Sequence, residues 1–431
     1  MSVADRRIGL EQEFFLVDAE GMISHHSDAY LQRCQEEAAV TGRNPQHFAP
    51  EWVKSMVEIN TPPADSVADL ACEYLKNLRL ALNVAKDMNL RLYPLSTYPL
   101  HVMPVVRNKP WYHAQVRTVG FERFMHAAKC TGTHIHLDLP AGIIDRRVGV
   151  AYNSTPEARE ELLNIYNLAT ALDPALIVLS RACPFYEGRM MNLAAHTVRY
   201  RGSDVFGWEG VYTHLQAVGG LQPYASDIEQ LVELQFARYY AWLEAMDKAG
   251  VERHLMQAAG GLLKASWNRV RLNGIGTVEM RGSDSNYPQV ILAIAALLYH
   301  AAYRVRTEQL TVKPVEGVRR FELRDRILAV PDFKYLDGDL LYAAVSEGVE
   351  SPEVVAYLDS IFAFADLASG ETDYLAIKSA LGTYQTTEAA ILDEYFPTTE
   401  EISKENGLRL VRQCCDKLEQ QVTSLESALK L

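Results

Sequence analysis

The sequence lacks the cysteine spacing of a zinc or redox site. Its six cysteines, Cys34, Cys72, Cys130, Cys183, Cys414 and Cys415, are scattered over 431 residues with no Cys-x-x-Cys pair. Reduced structural thiols are therefore expected, with Cys130 and Cys183 the candidates should a catalytic thiol exist. No run of about 18 apolar residues is present, and the opening MSVADRRIGLEQEFF carries charge where a signal peptide has an apolar centre. A cytoplasmic protein without a membrane partner is expected. Basic charge is in deficit too. The formal net charge is −13, so a nucleic-acid surface would work against the global field, and small molecules are the expected partners. Also missing are a GxxxxGK[ST] loop, a strand-linked GxGxxG, internal repeats and low-complexity tracts.

Hydrophobic residues make up 48% of the chain, enough for a large core in one elaborated domain or two. Arg7 to Asp18 alternates and is rich in Phe, Leu and Val, which predicts a strand ending in the turn Asp18-Ala-Glu-Gly21. Met56 to Asn60 reads as a second strand, closed by Thr61-Pro-Pro63. Asp65 and Ser66 supply N-cap chemistry for a helix running to about Asn89, with Val67, Leu70, Tyr74, Leu78 and Leu82 at helical spacing. Two further strands are predicted at Thr133–Leu139 and Thr277–Arg281, the latter after the turn Asn273-Gly-Ile-Gly276. Long helical stretches fall at about 156–182, 225–248 and 288–306. Beyond 320 the pattern reads as helical, with a break at Phe396-Pro397-Thr-Thr399 and a last amphipathic helix, Glu400 to Leu429, suited to packing or dimerisation. A division into 1–320, carrying the chemistry, and a helical 321–431 packed on it follows.

Strand side chains alternate faces with period two. In the first strand Ile8, Leu10, Phe14 and Leu16 oppose Gly9, Glu11, Glu13 and Phe15, so two carboxylates share a face about 7 Å apart. In the second, Val57 and Ile59 oppose Glu58 and Asn60. In the third, Thr133, Ile135, Leu137 and Leu139 oppose His134, His136 and Asp138. In the fourth, Val278 and Met280 oppose Glu279 and Arg281. A wet sheet face is the bland reading of any one strand, but solvated faces carry Lys, Thr, Ser and Gln rather than recurring Glu with His and Arg. Four clustered carboxylates raise one another's pKa unless counter-charge is supplied. Bound divalent cations supply it, Mg2+ through carboxylates and substrate phosphates, with Mn2+ tolerating an added imidazole. Arg281, on the face of Glu279, is placed to stabilise charge on a transferring phosphoryl group.

The run Gly9-Leu-Glu-Gln-Glu-Phe-Phe-Leu-Val-Asp18 resembles the N-terminal signature of the glutamate–cysteine ligase superfamily, in its bacterial carboxylate–amine ligase branch. Val57-Glu-Ile-Asn-Thr-Pro62 resembles that family's Glu-x-x-Thr-Pro segment, Gly132-Thr-His-Ile-His136 its Gly-x-His strand, and Glu279-Met-Arg-Gly-Ser-Asp284 its Glu-x-Arg-x-x-Asp segment. All four stand in the family's order. The resemblance covers roughly residues 8 to 290. It implies an α+β fold related to glutamine synthetase and guanidino kinases, in which a curved, mainly antiparallel sheet forms a catalytic funnel with helices packed outside.

The resemblance further implies ATP and Mg2+ as cofactors, with Glu11, Glu13, Glu58 and Glu279 as metal ligands. His134 would contact metal or nucleotide phosphate, and Glu51, seven residues before Glu58, is a further candidate ligand. Arg281 and Glu279 would be the catalytic pair. The implied reaction phosphorylates a substrate carboxylate with ATP, and an amine then attacks the acyl phosphate. Arg199 and Arg201 are candidates to grip a substrate α-carboxylate, and Lys264, Arg269 and Arg271 around Trp267 to line the nucleotide path; solvated arginines are the alternative for each set. His25 and His26 are expected to be exposed, and His136 to pack behind His134. No cysteine-binding segment is identifiable, which leaves the amine acceptor open. A guanidino phosphotransferase and a non-catalytic nucleotide- or amino-acid-binding relative are the competing readings.

Overall fold

The computed structural model describes residues 6–366, 385–396 and 400–431; residues 1–5 and the expected break at Pro397–Thr399 lie outside them. The central feature is a seven-stranded antiparallel sheet. Its strands are β1 (Ile8–Asp18), β2 (Phe48–Pro50), β3 (Met56–Asn60), β4 (Leu90–Tyr93), β5 (Gly132–Asp138), β6 (Val270–Asn273) and β7 (Thr277–Asp284). The spatial order is β6-β7-β5-β1-β3-β2, with β4 pairing the far end of β1. Glu11 stands opposite Asn60 on one side and His134 on the other, Glu13 opposite Glu58, and Glu279 between His136 and Arg271. The strands that carry the chemistry are thus brought together in one sheet although Glu11 and Glu279 stand 268 positions apart in sequence.

β1 ends where Asp18 turns the chain. Its Oδ1 accepts the N–H of Met22 at 2.8 Å and of Glu20 at 3.1 Å, while Gly21 takes φ +91°, a conformation glycine adopts without a Cβ penalty. The apolar face of the sheet is covered by α1 (Val67–Asp87), α2 (Pro156–Ser180) and α3 (Pro288–Thr307), which pack on β1, β7 and β5. Ser66 caps α1 by accepting the Asp69 N–H at 3.0 Å, the start signal read from sequence, and Thr155 caps α2 ahead of Pro156. α2 and α3 are long and apolar enough to span a membrane by composition, yet 94% and 72% of their apolar windows are buried inside the protein. They are core helices.

One residue breaks the alternation of β1. Gln12 falls on the apolar face, where its Nε2 donates to the Asn286 carbonyl at 2.6 Å and its Oε1 accepts from Tyr74 on α1. A buried amide is tolerated there because both ends are satisfied.

The region after 320 corrects the expectation of helix alone, through the strands at Glu322–Arg324 and Ile327–Pro331. β8 (Thr311–Val315), β9 (Glu322–Arg324) and β10 (Ile327–Pro331) form a separate three-stranded sheet in which β8 and β10 are parallel. Ile327-Leu-Ala-Val-Pro331 is a short apolar run, a length at which periodicity does not separate strand from buried helix. Helices resume at Phe333–Tyr335 and continue through Leu341–Ser346 and Pro352–Asp366, and α4 (Lys404–Leu429), capped by Ser403, lies against α1, β4 and α3. Its face of Leu410, Val411, Cys414, Cys415, Leu418 and Val422 is buried. All six cysteines are free thiols. Burial pushes the Cys130 and Cys183 thiols far up, so neither has the low-pKa character of a nucleophile.

Candidate active site

The polar face of the sheet opens into a cleft of about 360 Å3, lined at its base by Glu11, Glu13, Glu51, Glu58, His134 and Arg281. Period-two alternation in β1, β3, β5 and β7 aims all of these but Glu51, which follows β2, to one side, and the register sets their distances. His134 Nδ1 is 3.1 Å from Glu11 Oε2, and its Nε2 is 3.8 Å from Glu13 Oε1. His136 Nε2 is 3.2 Å from Glu11 Oε1, while its Nδ1 meets the Thr277 hydroxyl at 3.0 Å. Glu13 Oε2 accepts the Gly132 N–H at 2.7 Å, and Glu58 Oε1 accepts from Asn60 at 2.9 Å.

Glu279 sits at the centre of a guanidinium clamp. Arg271 donates to both of its oxygens, at 2.7 and 3.0 Å, and Arg281 and Asn273 also bond to it. The pairing of β7 with β5 shifts register between Met280 and Ser283, a bulge of the kind that re-aims a side chain. Gly282 lies within that bulge, where a Cβ would come within 2.6 Å of Asp173 Oδ1. Glycine there lets the bulge, and with it Arg281, sit flush on α2.

Electrostatics divides the acids into two groups. Burial raises Glu11 and Glu279, but His136 and His134 outweigh it at Glu11, and Arg271 and Arg281 outweigh it at Glu279, so both stay ionised. Glu13 is pushed by burial up to about 7 against the pull of the Gly132 N–H and Arg281. Burial, then Glu11 and Glu13, push Glu58 up to about 8. Glu51 is raised well above the carboxylate range by burial and by Glu13 and Glu58. His134 is lowered to about 4 by burial and Arg281, leaving a neutral imidazole whose Nε2 has no hydrogen-bond partner. Such a set of crowded acids and a free imidazole nitrogen is what a cation would relieve.

The geometry fits that reading. Ligand atoms of Glu11, His134 and Glu279 lie within 4.8 Å of one another, and so do those of Glu13, Glu58 and His134. His134 is common to both sets. The donors are carboxylates with one imidazole, the chemistry of Mg2+ or Mn2+ rather than of thiolate-bound ions.

Of the other residues singled out from sequence, Lys264 and Arg271 line the cleft. Arg269 does not: it is buried between Asp173, 3.0 Å away, and Asp337. Arg199 and Arg201 are not brought together. They lie on a π-helical turn, His196–Arg201, where residues two apart point to opposite sides. Arg201 is buried, stacked on Tyr200 and donating to the Arg281 carbonyl at 2.8 Å, while Arg199 faces a different cavity. His26 is exposed and His25 partly buried. Sequence reasoning missed the aromatic wall of Trp52, Trp111 and Tyr112, which joins Trp267 and Tyr200 in the cleft. Trp111 and Trp267 stack at 14°, with centroids 6.3 Å apart. Three of the chain's five tryptophans line this one cleft; that rarity was the available signal.

Comparison with known proteins follows the same lines. A family model described as glutamate–cysteine ligase family 2 matches residues 7–381. A glutamate–cysteine ligase from Halobacterium salinarum is 25% identical over 329 residues, 74% of this chain and 76% of that protein. For the first curated relatives the match covers only 46% of their length, so the chain spans about half of those proteins. Among solved structures, a bifunctional glutathione synthetase from Pasteurella multocida has TM-score 0.61 at 15% identity, covering 97% of this chain and 53% of that one. A glutamate–cysteine ligase from Francisella tularensis in complex with AMP has TM-score 0.53 at 14% identity, covering 99% and 91%. At these identities the structures establish a shared fold, mixed helix and mainly antiparallel sheet. With the family model spanning most of its length, this chain belongs to glutamate–cysteine ligase family 2.

Proposed function

We propose that the protein is an ATP-dependent carboxylate–amine ligase that makes a γ-glutamyl-type amide through an acyl phosphate. One observation carries the reading: four adjacent strands bring Glu11, Glu13, Glu58, His134 and Arg281 to one cleft, with Glu51 beside them and Glu279 bonded to Arg281, in a chain of this family. The AMP bound by the Francisella tularensis relative supports a nucleotide substrate. In the absence of a phosphate-binding loop, charge on the phosphates falls to cations and arginines.

Glu11, Glu13, Glu58, His134 and, once its arginine contacts rearrange, Glu279 would hold Mg2+, with Glu51 beside them. When bound, the ions neutralise phosphate charge and make the γ-phosphorus accessible to an oxygen nucleophile. Arg281, anchored through its main chain to the Arg269 carbonyl and by the bulge after Met280, offers its guanidinium N–H groups to the phosphoryl group in transfer. Lys264, its ammonium disfavoured by burial and by Arg271, lies on the same wall and would meet a phosphate or carboxylate. The aromatic wall excludes water from an acyl phosphate that would otherwise hydrolyse. We assign this chemistry to residues 1–320 and a supporting role to 321–431.

The test is Mg-ATP-dependent phosphate release by the purified chain against carboxylate and amine pairs, glutamate with cysteine first, with mass spectrometry of the product. Release that requires both partners and yields an amide is expected. ADP with a phosphorylated small molecule would instead indicate a phosphotransferase, and no turnover over a broad panel a binding protein.

A further inference from the structure

A second polar cavity, of about 500 Å3, lies apart from the cleft and is lined by His101, His126, Tyr186, Glu187, Met190 and Arg199, among others. Its wall is a short hairpin, Phe185–Tyr186 paired with Arg189–Met190, turned by Glu187 at φ +52° and Gly188 at φ +87°. Positive φ at both turn positions favours Asn-Gly. A glutamate there accepts backbone strain, and its carboxylate meets Lys129 and, at 2.8 Å, His101 Nδ1.

The charges around the cavity are unevenly satisfied. Glu187 is taken by Lys129 and His101, and Arg189 pairs with Glu401 at 3.4 Å. His126 Nδ1 meets the Tyr186 hydroxyl at 3.1 Å. Burial, Arg199 and Lys129 hold His126 below its usual value against Glu187 and Glu209. Arg199 differs. Its guanidinium lies 5.2 Å from the centre of the Tyr186 ring, its Nε is buried without a hydrogen-bond partner, and no carboxylate among the described residues pairs with it. A guanidinium has five N–H donors in a fixed fork that suits a carboxylate bidentately, and a buried donor left unmade is costly.

We propose that this cavity is a second ligand site that takes a small-molecule carboxylate, with the carboxylate on Arg199 and an apolar body against Tyr186 and Met190. The volume is in the range of metabolite pockets. The inference does not depend on the ligase reading. Arg199 and Tyr200 are consecutive on the π-helical turn, one facing this cavity and the other the cleft, so the occupant would sit one residue behind the cleft wall.

Calorimetric titration of the full chain with 3-phenylpropionate, and with 3-phenylpropanol as the uncharged analogue, tests it. The acid is expected to bind, with affinity lower by about tenfold or more for the alcohol and for Arg199→Ala. Arg199→Lys, which keeps the charge without the fork, should fall between. Binding should persist in Arg281→Ala, which alters only the cleft. If Arg199→Ala lowers the thermal midpoint, the acid–alcohol comparison on the unaltered chain and the Arg199→Lys variant decide. Loss in Arg281→Ala with retention in Arg199→Ala would place the acid in the cleft and overturn the proposal. So would equal binding of acid and alcohol, or no heat at concentrations on the order of 10 mM.

Discussion

Arg281 receives its position from three directions: Glu279 on its guanidinium, the Arg269 carbonyl 2.6 Å from its N–H, and the bulge at Gly282. Replacing it with alanine leaves the acids in place, so nucleotide binding should change only a few-fold while turnover falls by about 10²–10³, the cost of losing one preorganised donor to the transition state. Equal turnover in the variant would remove Arg281 from the mechanism. Glu11, Glu13, Glu58, Glu279 and His134 were legible in the sequence because period-two alternation puts each on the polar face of its strand, whereas Glu51 rested on the family resemblance. The arginines were less so. Arg269 and Arg271 share a face only if the strand covers both, and β6 begins at Val270. Arg199 and Arg201 would share one in a strand, but the chain winds there into a π-helical turn that no sequence pattern marked.

At the scale of elements, β1, β3, β5 and β7 fall where alternation predicted, α1 where its cap and helical spacing did, and α2 and α3 within the long helical stretches read at about 156–182 and 288–306. β2, β4 and β6 have 3–4 residues each, too few for a period to register. Their pairing is set by long-range contacts that a single sequence does not encode locally. One junction between elements has a measurable charge signature. Asp284, at the end of β7, accepts the His196 N–H at 2.8 Å and the Ala182 N–H at 3.1 Å, tying the π-helical turn and the end of α2 to the sheet. Burial pushes its carboxyl up to about 7 from 3.8. A raised folded-state pKa means that the unfolded chain loses its proton first as pH rises. The contribution of Asp284 is therefore fully present below about pH 4 and is lost on the way to pH 7. The denaturation midpoint of Asp284→Asn should accordingly fall less steeply between pH 5 and 7 than that of the unaltered protein. Identical slopes would show that Asp284 does not titrate in this window.

For the molecule as a whole, the last helix is part of the core. Leu410, Val411, Leu418 and Val422 are buried on α4, each worth roughly 1.5–3 kcal/mol, and Arg79–Glu426 and Arg91–Glu419 pairs flank them. Together these side chains match about half or more of a typical net stability of 5–15 kcal/mol. A chain ending at residue 400 should give no cooperative unfolding transition in calorimetry; an unchanged midpoint would make α4 an appendage. The amphipathic character of this helix was readable from its sequence, whereas its partners α1, α3 and β4 were not. The central claim is that the cleft activates a carboxylate by phosphorylating it, and isotope transfer reads that step directly. With glutamate carrying 18O in its γ-carboxylate, cysteine and Mg-ATP, acyl phosphate formation moves one labelled oxygen per turnover into inorganic phosphate. Label in the phosphate is the predicted result, and turnover with unlabelled phosphate would contradict the account.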